Sequence, residues 1–127
     1  MNTRNIGYAD FETTIRDNDI VLVDFWASWC GPCRAFAPIF ERSAANHPQI
    51  VHAKVNTEQE PELAALMEIR SIPTIAAFRE GVLVFSQPGV LAPAALEDLI
   101  SQVAALDMDH VRATIAARKA TSSAAGN

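Results

Sequence analysis

Apolar positions recur along this chain in two rhythms, one of the helix and one of the strand. Tyr8, Phe11 and Ile15 are spaced three and four apart, which predicts a helix over 8–17 closed by Asn18-Asp19. Residues 20–26 are apolar throughout except for Asp24, as in a central strand covered on both faces. Phe36, Ile39, Phe40 and Ser43 share one side of a helix over 34–46, which Asn46-His47-Pro48 ends. Pro38 lies inside that helix, where it removes a backbone donor and is expected to kink the axis. Residues 50–55 alternate, with Ile50, His52 and Lys54 against Val51, Ala53 and Val55, as in a half-buried strand.

Further along, Pro61 suits the first turn of a short helix over 62–69. Strands over 75–78 and 82–85 flank Arg79-Glu80-Gly81, a tight hairpin whose glycine supplies a positive φ. Leu96, Leu99, Ile100 and Val103 line one face of a helix over 93–106. A shorter helix over 108–119 opens on Asp107 or Asp109 as its N-cap, and the small, polar residues 120–127 are expected to fray. The order αβαβαββα implies an α/β sandwich around a mixed sheet: crossover helices join parallel pairs, and the last hairpin forms an antiparallel edge. Phe11, Phe25, Phe36, Phe40 and Phe78 are the expected aromatic core, with Tyr8 partly exposed.

A length of 127 residues suits one core, and half the residues are hydrophobic. The net charge of −5 removes the electrostatic case for a nucleic-acid partner. The apolar runs are too short to cross a bilayer, so no membrane association is expected. No apolar run follows Met1-Asn2-Thr3-Arg4-Asn5, so no signal peptide is visible and the expected location is a reducing cytoplasm. There a cysteine pair is more often catalytic than structural.

Both cysteines fall in Cys30-Gly31-Pro32-Cys33, between a strand and a helix. A pair so close could close a small ring, but that ring would constrain little of the unfolded chain. A thiol at a helix N-terminus faces unpaired N–H groups and the positive end of the helix dipole. Both favour the thiolate, which is the nucleophile. The competing chemistry is half a zinc site, but His47, His52 and His110 are not arranged as a second ligand pair, so no metal is expected. Asp24 sits in an otherwise apolar strand, so burial should raise its pKa. Spacing alone leaves it either a hydrogen-bonded structural carboxyl or a proton acceptor for a cysteine. Lys54 is either a solvated strand lysine or the charge partner of Asp24, and Ile72-Pro73, read by itself, is a trans peptide. The stretch Glu58-Gln59-Glu60-Pro61-Glu62 reads as a solvated helix start.

The octapeptide Trp26-Ala27-Ser28-Trp29-Cys30-Gly31-Pro32-Cys33 resembles the active-site signature of the thioredoxin family. Asp24, Pro38, Lys54, Ile72-Pro73-Thr74, Gly81 and Gly89 match the family in order, and the resemblance spans about residues 8–106. Residues 1–106 are therefore expected to form one thioredoxin-fold domain, a central mixed sheet with helices on both faces. Residues 107–127 would add a short C-terminal helix and tail. The chain departs from the family at Ser28, where many relatives carry Glu or Pro, at Arg34 in place of Lys, and at Val90 in place of Ala.

The resemblance implies a protein-disulfide reductase. Cys30 would attack a substrate disulfide and Cys33 would resolve the mixed disulfide. Asp24 would take a proton from Cys33, with Lys54 as its charge partner. The resemblance also implies a cis peptide at Ile72-Pro73, placed against the dithiol. Trp29, Gly31, Pro32, Ile72, Thr74, Gly89 and Val90 would then form the substrate surface, with Trp29 and Cys30 exposed and Trp26 in the core. No bound cofactor is expected, since the redox group is the cysteine pair. The expected partners are an NADPH-dependent thioredoxin reductase and disulfide-containing client proteins, and the expected state is a monomer. The alternatives are a thioredoxin-like binding scaffold, which has no need of the intact cysteine pair, and an oxidase or isomerase, which Gly31-Pro32 disfavours.

Overall fold

The computed structural model describes residues 2–125. Five strands, β1 (Thr3–Asn5), β2 (Ile20–Trp26), β3 (Val51–Asn56), β4 (Thr74–Arg79) and β5 (Val82–Pro88), form one sheet in the order β1-β3-β2-β4-β5. β3 runs parallel to both β1 and β2, while β4 is antiparallel to β2 and β5. Five helices complete the described chain: α1 (Tyr8–Arg16), α2 (Gly31–Asn46), α3 (Pro61–Leu66), α4 (Pro93–Ala104) and α5 (Met108–Ala125).

β2 lies at the centre of the sheet, which is why its sequence is apolar on both faces. Ile20 and Leu22 pack with Phe36 and Phe40 of α2 and with Leu96, Leu99, Ile100 and Val103 of α4. Val21, Val23 and Phe25 face the other way, onto Phe11 of α1 and Leu63 of α3. The five phenylalanines named from the sequence are all buried, each worth roughly 1.5–3 kcal/mol of transfer free energy. Tyr8 is exposed, as expected.

Several boundaries differ from the sequence reading for physical reasons. β1 has no apolar signal in Thr3-Arg4-Asn5. It exists through backbone pairing with β3 and through Glu41, whose carboxylate accepts from the Asn2 amide at 2.7 Å and the Thr3 hydroxyl at 2.8 Å. With β1 outside it, β3 is an interior strand and His52 is buried, so the half-buried reading of β3 is corrected. α2 begins at Gly31, not at residue 34, and runs unbroken past Pro38. α3 stops at Leu66, and α5 continues to Ala125, beyond the expected end at residue 119. The fraying expected at residues 126–127 lies outside the described residues.

The β4–β5 turn is Glu80-Gly81, with φ of +51° and +79°, as a two-residue hairpin requires. This turn also anchors α5. Arg112 donates to Glu80 at 2.8 Å and to Asp109 at 3.0 Å, and buried Met108 pins the start of the helix. Asp107 is the N-cap, its carboxylate accepting from the amides of Asp109 and His110. No helix among the described residues is long and apolar enough to cross a membrane.

Candidate active site

The site lies where β2 hands over to α2. Ala27 to Cys30 is a β-turn closed by the Cys30 amide on the Ala27 carbonyl at 3.3 Å, and it leads straight into the helix. Cys30 is the N-cap of α2, with its Sγ accepting from the Cys33 amide at 3.1 Å. The first turn of α2 itself carries no acidic side chain. Cys30 and Cys33 are joined as a disulfide, with Cα atoms 5.2 Å apart.

Cys30 is not exposed, contrary to expectation: it is 4 % accessible and Cys33 2 %. The turn folds its side chain inward, against Ala27, Trp26 and Ile72. Exposure belongs instead to Trp29, at 69 %, and to Gly31 and Pro32. Trp26 is half-buried at the edge of the core rather than inside it.

The Ile72-Pro73 peptide is cis. The Ile72 carbonyl oxygen lies 3.7 Å from Cys30 Sγ. Pro73 and Thr74 are buried, with the Thr74 hydroxyl donating to the Ser71 carbonyl. The Gly89 amide donates to the Pro73 carbonyl at 2.8 Å, and Gly89 has a φ of +105° that a side chain would strain. Val90 follows, exposed. Of the residues expected to form the substrate surface, Ile72 packs against the cysteine pair, Gly89 is tied to Pro73, and Trp29, Gly31, Pro32 and Val90 are exposed.

Asp24 is wholly buried in β2, and neither carboxylate oxygen has a hydrogen-bond partner. Burial pushes its pKa up to about 7, opposed in part by the charge of Lys54. Lys54 is the register partner of Asp24 on β3, and its Nζ lies 5.0 Å from the centre of the Trp26 ring. Lys54 is therefore half-buried over an aromatic face, not a freely solvated lysine.

The three histidines occupy separate settings. His47 pairs with Glu97 at 2.8 Å, His52 with Ser43 at 2.9 Å, and His110 lies on α5. Among the described residues no group of three metal-ligating side chains converges.

Glu58, which reads as part of a solvated helix start, accepts from both the amide and the hydroxyl of Ser28 at 2.7 Å. These bonds hold its carboxyl below the usual range. No sequence signal marks the contact, because Ser28 and Glu58 are 30 positions apart and neither is apolar.

The thioredoxin family model matches residues 2–105. A putative thioredoxin 2 of Streptomyces coelicolor is 50 % identical over 119 residues, covering 94 % of this chain and 89 % of that protein. A thioredoxin of Porphyra purpurea is 36 % identical over 104 residues, covering 80 % and 97 %. Among solved structures, a mutant thioredoxin from Halobacterium salinarum superposes with a TM-score of 0.76 at 33 % identity, covering 82 % of this chain and 91 % of that one. Plasmodium falciparum thioredoxin gives 0.73 at 32 %, covering 79 % and 98 %. With these matches, and with its two cysteines joined where a strand hands over to a helix, the chain belongs to the thioredoxin family of dithiol–disulfide reductases.

Proposed function

We infer that Cys30 is the attacking thiol of this reductase and Cys33 the resolving one. The observation that supports this is the N-cap position of Cys30, with its sulfur on the Cys33 amide and no acidic residue in the first turn. In the dithiol form that amide and the helix dipole stabilise a Cys30 thiolate. The thiolate attacks one sulfur of a client disulfide, forming a mixed disulfide and releasing one client thiolate. Cys33, deprotonated, then attacks Cys30 Sγ. The Cys30–Cys33 disulfide forms and the second client thiol leaves. Two electrons pass from the dithiol to the client, and no bound cofactor takes part.

Asp24 is the proposed acceptor of the Cys33 proton, directly or through water. A carboxyl with a pKa of about 7 is half ionised near neutrality, which suits a group that must take up and return a proton. Lys54 tunes it by opposing the upward shift. Pro32 restrains the dithiol, and Pro73 sets the loop beside it. The ladder of β4 begins at Thr74, so the Ile72 backbone lies beyond it, where an extended client segment could pair by strand addition. Trp29, Gly31, Gly89 and Val90 would give that segment its apolar rim. Recharging falls to an NADPH-dependent thioredoxin reductase, in a reducing compartment such as the cytoplasm. Residues 1–106 form the catalytic unit in this reading, and 107–127 an accessory segment.

The test is reduction of insulin disulfides with dithiothreitol as electron donor, comparing the parent with Cys30→Ser. Turnover is expected from the parent and none above background from the variant. Turnover retained by a folded Cys30→Ser would overturn the assignment. A folded parent that fails to reduce insulin would favour a restricted client or a scaffold.

A further inference from the structure

The loop that presents Cys30 is held from both sides by charged groups that the cysteine chemistry does not explain. Glu58 accepts the Ser28 amide and hydroxyl, each at 2.7 Å. Arg34, one turn into α2, donates from Nη1 to the Ser28 carbonyl at 2.8 Å. The amide, hydroxyl and carbonyl of Ser28 are thereby each bonded to a charged side chain. We propose that Glu58 and Arg34 act as positioning residues, clamping Ser28 so that the Ala27–Cys30 turn keeps Cys30 at the N-cap of α2 in both redox states.

Isolated ion pairs on a surface contribute little, because two mobile chains must be ordered for one contact. This arrangement differs in that its acceptor side is built in advance. The Thr57 amide and hydroxyl both donate to the Trp26 carbonyl, at 2.9 and 3.0 Å, tying this segment to the end of β2. The Asn56 side chain accepts the Glu58 amide at 2.9 Å, and the Asn56 carbonyl accepts the amides of Gln59 and Glu60. Glu58 therefore projects from a turn whose backbone is already fixed. Its bonds to Ser28 are charge-assisted, and they keep its carboxyl ionised below the usual range. On the other side, Arg34 lies over Gly31, with Nη2 3.9 Å from where a Cβ would sit.

The need for such a clamp follows from the reaction. While the disulfide is closed, a covalent ring holds Cys30 and Cys33 together. In the dithiol that restraint is gone at the moment Cys30 must attack. Ser28 and Trp29 are the central residues of the turn, and Ser28 is fixed at its amide, hydroxyl and carbonyl. This inference rests on the reading of Cys30 as attacking thiol, and its test is separable from that reading.

Glu58→Ala and Glu58→Gln remove the same charge, but only glutamine keeps an acceptor for Ser28. They are compared in two measurements. In a Cys33→Ser background Cys30 is the sole thiol, and its pKa is read from the pH dependence of alkylation. In the parent background, kcat and KM are measured for insulin. Glu58→Ala is expected to lower kcat by about fivefold with little change in KM, and to raise the Cys30 thiol pKa relative to Glu58→Gln. Glu58→Gln is expected to recover most of the rate, and the two oxidised variants should melt at similar temperatures. Identical kcat and thiol pKa in the two variants would overturn the clamp. A loss in Glu58→Ala that disappears once the fraction folded is accounted for would do the same. Failure of the Cys30 assignment would appear elsewhere, as turnover by Cys30→Ser, while the alkylation comparison would still decide whether the clamp acts on Cys30.

Discussion

Asp24 and His52 sit on neighbouring strands, on the face of the sheet that α2 covers, and both are shut off from solvent at 0 % and 1 % exposure. Their surroundings differ in one respect. Both ring nitrogens of His52 have partners, Nδ1 on the Ile50 carbonyl at 3.1 Å and Nε2 on the Ser43 hydroxyl at 2.9 Å. A carbonyl only accepts, so Nδ1 carries the proton and Nε2 accepts from Ser43. The ring also packs on Phe40, with centroids 5.0 Å apart. Among the described residues neither carboxyl oxygen of Asp24 has a hydrogen-bond partner. A buried polar group that serves the fold is satisfied, and its cost is small. Asp24 lacks that satisfaction: burial raises its pKa to about 7 against the charge of Lys54, which suits the proton-accepting role proposed above.

Removing the Asp24 carboxylate should produce the largest effect. Its folded pKa is about 7 against 3.8 for the free group, so between these values the native state holds a proton that the unfolded chain has lost. The stability this proton confers is complete below pH 3.8 and is lost as pH rises through about 7. Well above that, the buried charge costs on the order of 4 kcal/mol. Asp24→Asn should therefore resist urea better than the parent at pH 8, by a margin that shrinks towards pH 5, while reducing insulin more slowly. An equal margin at both pH values would mean that Asp24 is not the titrating group.

The opposite behaviour is expected at His52. Burial pushes its pKa below 6.5, so the neutral ring is the native form. Its contribution to stability is complete above pH 6.5 and is lost as pH falls below it. Ser43→Ala strips Nε2 of its partner and should cost about 1–3 kcal/mol at pH 8, with catalysis unchanged in the protein that remains folded. Both are read by urea titration at pH 8 and pH 5. A variant as stable as the parent would show that the hydroxyl does not satisfy the ring.

This contrast also marks how far the sequence can be read. The interruption of residues 20–26 by Asp24 is enough to expect a raised pKa, because an apolar run buried on both faces leaves a carboxylate no solvent. His52 does not read as buried, because its strand alternates like a half-buried one. Only β1, a polar edge strand without an apolar signal, makes that strand interior. The redox pair is legible from two cysteines at a strand–helix junction. The inward turn of Cys30 is not, since it depends on Ile72, 42 positions away, packing against the cysteine pair. The Glu58–Ser28 contact is hidden for the same reason: exposed polar residues far apart in sequence leave no periodic trace.

The smallest effect tests whether the isolation of Asp24 is relieved by Lys54. The two residues are cross-strand register partners, and the lysine charge lowers the Asp24 pKa while burial raises it. Lys54→Met removes the charge and keeps most of the apolar stem. At pH values where Asp24 is protonated, the substitution forfeits only the cation over the Trp26 ring, about 0.5–1 kcal/mol. As Asp24 ionises, the loss grows, because the carboxylate then has neither hydrogen bond nor counter-charge. The Asp24 carboxyl resonance, followed by NMR in the oxidised protein, should titrate at a higher pH in Lys54→Met than in the parent. An unchanged midpoint would show that desolvation alone sets the Asp24 pKa and that Lys54 serves the Trp26 contact. A fall would mean that losing the lysine admits solvent to the carboxyl, so that its stem shields Asp24 more than its charge stabilises it.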